Sequence, residues 1–221
     1  MGKTLILSQL QKRFLELAVK EKALTSNFYW TGGTVLSEFY LHHRDSEDID
    51  LFTEKEEVRV SQTNVLIKKI GNSIGAKKIN YAQYLGLHTY TYDFGEDQKL
   101  KVDFNYYHFP RLEKGGNFSG LIYDSILDIA VNKIQSIATR TKSRDFIDLY
   151  MIIKKYNYSV QELVKIARSK FDHYTDPVQL AGKFLLVRQA VDLPIMRVDL
   201  PEEKWRCFFE EEAMKLKQMA F

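Results

Sequence analysis

Three aspartates, Asp48, Asp50 and Asp103, have the type and spacing to do chemistry in this chain. Asp48 and Asp50 alternate with Ile49 and Leu51 in the run Asp48-Ile49-Asp50-Leu51-Phe52. Side chains at i and i+2 of a strand share a face, so both carboxylates look one way while Ile49 and Leu51 look into a core. Like charges side by side repel. Such a pair suits a place where a cation lies between the charges, and a divalent ion carrying a nucleoside triphosphate fits it. The run Lys99 to Tyr107 repeats the pattern, with Leu100, Val102 and Phe104 on one face and Lys101, Asp103 and Asn105 on the other. If the two strands are neighbours, three carboxylates surround one point and suit two hard divalent ions about 3.5–4 Å apart. One ion would carry the triphosphate. The other, ligated by Asp103, would activate a hydroxyl whose proton Asp103 helps to take.

Upstream, Gly32-Gly33-Thr34 follows the short β-prone run Tyr29-Trp30-Thr31 and opens a helical pattern. Backbone N–H groups of Gly32 and Gly33 can approach phosphate without side-chain obstruction, and a helix N-terminus favours anions. Thr34 adds a hydroxyl. A plain strand-to-helix turn explains Gly-Gly alone equally well, and Asp-x-Asp occurs on solvated strands. Glycine turn, Asp-x-Asp and a third strand Asp in that order are a much rarer combination.

A second group lies in the run Lys133 to Tyr150. Lys133 and Arg140 are two helical turns apart, and Lys142 and Arg144 extend the stripe if the helix continues; such a stripe can hold phosphates. Asp148 follows Arg144 at i+4 and can orient a cation there. A solvated face with internal ion pairs is the plainer reading of the same residues. His42 and His43 are adjacent, about 100° apart on a helix, which argues against a joint metal role. Ser46 reads as a turn or cap residue. The aromatic segment Tyr81 to Tyr92, with Tyr106, Tyr107 and Phe109, reads as β propensity and core packing, with base stacking by one or two exposed tyrosines as the alternative.

The elements that must position these residues fall into two halves. Helical spacing runs from residues 4 to 22, from Thr34 to Leu41 and from Glu56 to Gly71. Strand patterns cover Asn27 to Thr31, Glu47 to Thr53, Ala76 to Tyr81, Tyr84 to Phe94 and Lys99 to Tyr107, with a hairpin turn at Gly95-Glu96-Asp97-Gln98. From Leu121 onward the period is helical, with helices expected through Ile126–Ala138, Phe146–Ile153, Val160–Phe171, Val178–Ala190 and Pro201–Met219. The loop Pro110 to Asn117, with Gly115-Gly116, is the expected boundary. The expectation is an α+β fold: a small mixed sheet flanked by helices over residues 1–115, then an all-helical half over 116–221 that completes the active-site cleft.

At 221 residues, 45% hydrophobic and 28% charged, the chain is an ordinary globular one. Its apolar runs fall short of the roughly 20 residues of a membrane helix. The lone Cys207 forms no internal disulfide, and no Cys/His cluster has zinc spacing. A cytoplasmic setting without a membrane partner is expected. The net charge of +3 is too small to argue for nucleic acid by itself.

The run from Gly32-Gly33-Thr34 through Arg44 and Ser46 to Asp48-Ile49-Asp50-Leu51-Phe52 resembles the DNA polymerase β-like nucleotidyltransferases, and within them the AbiEii/AbiGii-type toxins. Asp103 fits the third Asp of those families. Many superfamily members carry Ser at this position, and Thr34 is the departure typical of the AbiEii-like branch. Lys133, Arg140, Arg144, Asp145 and Asp148 match the Lys, Arg and Arg/Lys-Asp-x-x-Asp-Leu element of the helical half. The matches span about residues 28 to 150.

This resemblance implies magnesium, or manganese, at a two-metal site formed by Asp48, Asp50 and Asp103. It implies triphosphate contacts from Gly32, Gly33, Thr34, Arg44, Lys133, Arg140 and Arg144, and a catalytic-site role for Asp148. Asp145 is then the structural partner of Arg144, although the roles of the two aspartates are interchangeable at this level. The implied activity is transfer of a nucleoside monophosphate from a triphosphate to an acceptor hydroxyl, as the toxin of a type IV toxin–antitoxin system. It further implies transfer RNA as the favoured acceptor class and a cognate antitoxin encoded nearby as a partner, neither of which the residues themselves reveal. A protein hydroxyl or an antibiotic as acceptor, or a non-enzymatic nucleotide-binding module, are the competing readings.

Overall fold

The structure, a computed structural model, describes residues 6–171 and 176–218. Its contacts divide the chain into two units, one of Met1–Tyr40 and Ser46–Ser125, the other of Leu41–Asp45 and Ile126–Phe221.

The first unit opens with helix α1 (Gln9–Ala18), whose N-terminus is closed by reciprocal bonds between Ser8 and Gln11. Phe14, Leu15 and Ala18 form its buried stripe. Thr4 and Leu5, included in the expected helix, lie outside the described residues. A short helix α2 (Lys22–Thr25) leads to strand β1 (Tyr29–Thr31). Gly32–Val35 forms one α-helical turn, α3, which continues as a π-helix over Leu36–Leu41. The wider turn is absent from any 3.6-residue pattern, and such segments concentrate at functional sites. Strand β2 (Asp48–Thr53) follows, then α4 (Val60–Ile74), closed by Gly75 in the left-handed region at φ 84°.

Three long strands come next: β3 (Lys78–Tyr84), β4 (Leu87–Gly95) and β5 (Gln98–Tyr106). Glu96 and Asp97 both have positive φ at the β4–β5 turn, as a tight hairpin requires. Two short strands, β6 (Gly116–Phe118) and β7 (Leu121–Tyr123), complete a seven-stranded mixed sheet in the order β3-β4-β5-β2-β1-β7-β6. The core on one face is built by Ile49, Leu51, Val102, Phe104, Tyr90 and Tyr92.

The segment with Gly115-Gly116 is therefore no linker. A Cβ on Gly115 would lie 1.7 Å from the Tyr123 carbonyl oxygen, so the glycine lets β6 close onto β7. The division falls after Ser125 instead of at 115, because β6 and β7 belong to the sheet. Leu121, expected to open the helical half, is a strand residue.

The second unit holds α5 (Ile126–Thr139), α6 (Ser143–Tyr156), α7 (Val160–Phe171), α8 (Pro177–Leu185, continued as a 3₁₀ turn to Gln189) and α9 (Glu202–Gln218). Asp176 caps α8, with Pro177 in its first turn. Met219, where the last helix was expected to end, lies outside the described residues. Phe209 is central to the core, edge-on to Phe146 and Phe184 at 5.0 Å each. Leu41–Asp45 joins this unit through a short antiparallel pairing. Arg44 bridges Met196, Asp45 N donates to Ile195 O at 2.9 Å, and Arg197 N donates to His43 O at 2.8 Å. Among the described residues no helix is long and apolar enough to cross a membrane.

Candidate active site

In the sheet unit, β2 and β5 run parallel in a register that sets Asp50 beside Asp103 and Asp48 beside Lys101. Alternation places Asp48, Asp50, Lys101 and Asp103 on one face, opposite the core. Lys101 Nζ stands 2.7 Å from Asp103 Oδ2 and 3.3 Å from Asp48 Oδ2. Thr89, paired with Asp103 across β4 and β5, donates its hydroxyl to Asp103 Oδ1 at 2.7 Å. Both oxygens of this buried carboxylate are thus engaged. Burial alone would lower the pKa of Lys101, but its bond to Asp103 and the charges of Asp48, Asp103 and Asp50 outweigh it and raise the pKa. The cluster stabilises positive charge.

The glycine turn meets this cluster at Asp50. Gly32 has φ 82°, and a Cβ there would lie 2.1 Å from Asp50 Oδ2. Glycine is required twice at this position, by the backbone conformation and by the carboxylate against it. Thr34 is completely buried; its hydroxyl donates to the Asp48 carbonyl and stands 2.9 Å from Ser46 Oγ. Expected as a phosphate donor, Thr34 instead ties the turn to β2. Ser46 completes that tie, its carbonyl accepting from Gln11 Nε2 at 2.8 Å.

Asp48, Asp50 and Asp103 supply only hard carboxylate oxygens, the donor set of magnesium or manganese, and Lys101 already draws a cation's charge among them. The residues fit such an ion. The cage of three carboxylates expected from the sequence is not assembled as the side chains stand: among the described residues no group of three or more His, Cys, Asp or Glu could hold a metal. The Lys101 ammonium stands between two of the three acids, Asp48 and Asp103.

The helical unit contains a different constellation. Asp148, with no exposed surface, accepts from Arg44 Nε at 2.6 Å and Nη2 at 2.7 Å, and contacts His43 Nε2 at 2.8 Å and Lys133 Nζ at 2.6 Å. Asp145, equally buried, pairs with Lys133 at 2.7 Å and with Arg140 Nε at 2.7 Å. Burial opposes ionisation of Asp148, yet Arg44 and Lys133, with the bonds from Arg44 and His43, hold its pKa well below the usual carboxylate range. Asp145 is depressed in the same way, against burial, by Lys133 and Arg140. Burial, helped by the nearby charges of Arg44 and Lys133, lowers the pKa of His43 against the opposing pull of Asp148, which Nε2 faces at 2.8 Å.

This network engages several of the residues expected at the phosphates. Arg44, 3% exposed, and Lys133 direct their charges at buried acids, and Asp148 is enclosed by cations. All three hold helices and the 41–45 segment together, their charges directed at one another. Asp145 pairs with Lys133 and Arg140 instead of Arg144. The basic stripe does not form, because α5 ends at Thr139 and Arg144 sits exposed on the next helix. Lys101, Thr89 and His43 were not singled out as site residues. Lys101 was visible as the residue alternating with Asp103, whereas Thr89 becomes significant only through the β4–β5 register.

This sheet with its flanking helices is the fold of nucleotidyltransferases. JHP933 from Helicobacter pylori shares it at a TM-score of 0.59 and 20% identity, covering 97% of this chain and 94% of that one. MenT4, a nucleotidyltransferase toxin from Mycobacterium tuberculosis, shares it at a TM-score of 0.54 and 12% identity, covering 94% and 82%. An uncharacterized protein of Aquifex aeolicus is 30% identical over 163 residues, 73% of this chain and 74% of its own length. The family described as nucleotidyl transferase AbiEii toxin, type IV TA system, matches residues 13–217, and the chain belongs to it. It is a nucleotidyltransferase.

Proposed function

We propose that this nucleotidyltransferase moves a nucleoside monophosphate from a nucleoside triphosphate to a hydroxyl of transfer RNA, releasing pyrophosphate, as the toxin of a type IV pair. The observation that carries the reading is the β2–β5 register, which sets Asp103 beside Asp50 on the face that Gly32 abuts. Asp48, Asp50 and Asp103 would hold magnesium, with manganese as a substitute; the bound ions supply neutralisation of the phosphate charge and activation of the hydroxyl. Gly32 and Gly33 offer backbone N–H groups to the triphosphate. Asp103 would receive the acceptor's proton on Oδ2 once Lys101, 2.7 Å away, moves off that oxygen, as the hydroxyl oxygen bonds the α-phosphorus and the bond to pyrophosphate breaks. Thr89 fixes that carboxylate by occupying Oδ1. The buried Arg44–Lys133–Asp148 network keeps the helical unit in shape. Positioning and charge account for the catalysis, as for phosphoryl transfer generally.

Labelled triphosphates incubated with total transfer RNA and magnesium test this directly. Wild-type protein incorporates label, and Asp48→Ala and Asp50→Ala lose it. Full activity in both variants refutes the site.

A further inference from the structure

The catalytic face continues past the carboxylates into an aromatic patch. On β2 the residue after Asp50 on this face is Phe52; on β5, Asn105 and then Tyr107 follow Asp103. Phe52 is in register with Asn105, and Tyr107 N donates to Thr53 O at 2.8 Å, so the ladder persists beyond the end of β5. The rings of Phe52 and Tyr107 are 5.4 Å apart, and Tyr29 lies 6.2 Å from Phe52. Arg111 sits 4.6 Å above the Tyr29 ring. Phe52, Asn105, Tyr107 and Arg111 are all half-buried. The main core lies on the opposite face, with Ile49, Leu51, Val102 and Phe104 fully buried, while on this face Tyr29 is itself buried, next to Phe52 and Arg111. Phe52 and Tyr107 pack beside it and still keep part of their surface open to solvent next to the carboxylates.

Direction decides what this patch can meet. Strand β1 runs antiparallel to β2, with Thr31 beside Asp50 and Tyr29 beside Phe52. The glycine turn follows Thr31, so phosphate and aromatic sites lie at opposite ends of the strands, with Asp50 and Asp103 between them. In phosphoryl transfer the attacking and leaving oxygens are roughly in line. If pyrophosphate departs on the glycine side, the acceptor enters from the aromatic side. One step along the strand from Asp50 to Phe52 is about 6.6 Å, roughly the span of one nucleotide.

We infer that Phe52, Asn105 and Tyr107 form a subsite for the terminal nucleobase of the acceptor strand, resting on the nucleotidyl-transfer reading above. The base stacks on Phe52 and Tyr107 and the Asn105 amide meets its edge, while Arg111, paired with Glu54 through Nε at 3.1 Å, borders the subsite. An aromatic ring with an arginine is a recurrent way to hold an unpaired base.

The test uses the full chain, a transfer-RNA acceptor-stem minihelix with an unpaired 3′ end, and the same RNA ending in an abasic ribose. Phe52→Ala raises KM for the intact RNA about 5- to 150-fold, the weight of one stacked base, and leaves KM for the triphosphate unchanged. Phe52→Trp restores binding. The abasic RNA shows the same loss with wild-type protein and no further loss with Phe52→Ala, a coupling that misfolding would not mimic. A rise in triphosphate KM alone would assign the ring to the donor base and overturn the inference. Indifference of both constants would make the patch packing, and failure of the wild type to extend the RNA would remove the acceptor class. Asp50→Asn separates the layers: if it is inactive while Phe52→Ala ignores the terminal base, stacking alone fails. If Asp50→Asn is as active as wild type, the catalytic reading fails first.

Discussion

Replacing Gly32 by alanine isolates the geometry on which catalysis depends. Two costs arise at this position. The backbone sits at φ 82°, where an L-residue loses about 1–2 kcal/mol. The new methyl would also fall 2.1 Å from Asp50 Oδ2 and 2.8 Å from its Cγ, so the carboxylate must retreat by about 1 Å to restore an ordinary contact. Gly75 provides the control, since its φ is 84° and a Cβ there meets nothing within 4 Å. Gly75→Ala therefore carries the strain without the displacement. Both variants should melt about 2–8 °C below wild type, the range expected of 1–2 kcal/mol in a chain of this size. Gly75→Ala should keep its rate of nucleotide incorporation, whereas Gly32→Ala should lose about 100-fold, the usual consequence of moving a reacting group by 1 Å. Initial rates with labelled triphosphate, measured well below both melting temperatures, make the comparison. Equal rates in the two variants would refute the claim that Gly32 exists to seat Asp50.

Asp148→Asn strips charge from an acid surrounded by Arg44, Lys133 and His43, and should cost about 3–5 kcal/mol in urea unfolding, as uncompensated buried cations do. Because the pKa values of Asp145 and Asp148 are depressed in the fold, their stabilisation is complete above the ordinary carboxylate pKa near 4 and is lost as pH falls below it; Asp148→Asn should flatten that part of the stability profile. His43 is depressed too, so the folded state resists its protonation and stability should begin to decline as pH falls below about 6.5, a slope that His43→Gln removes. Lys101→Met should enlarge the rise in melting temperature produced by magnesium or manganese, because the competing ammonium is gone; an unchanged shift would mean that Lys101 and the ion do not share a place.

The α+β character, the β4–β5 hairpin and the shared face of Asp48 and Asp50 were legible because strict alternation has one structural solution. Asp103 was legible for the same reason, and β5 lies next to β2 as the chemistry demanded. Strands β6 and β7 escaped notice because three residues each is too short for a period, and Gly115-Gly116 looked like a hinge. Within the 34–41 pattern, the change from α to π turns over Leu36–Leu41 leaves no mark in apolar spacing. The basic stripe failed for a different reason. Spacing reports which face a residue shares within one helix, but not whether distant acids bury its charge, and Lys133 finds Asp145 and Asp148 on the next helix. The pairing of Arg44 with Asp148 spans 104 positions and has no local signature.

The five residues Leu41–Asp45 are counted with the helical unit although both their chain neighbours belong to the sheet unit. The polypeptide thus crosses between the units at three peptide junctions, and a single cut cannot separate them cleanly. A fragment ending at Ser125 would keep Arg44 and His43 but abandon their carboxylate, while one beginning at Ile126 would keep Asp148 and lose two of its three cationic or hydrogen-bonding partners. Anyone exchanging the helical half for that of a relative must transplant this short upstream piece with it.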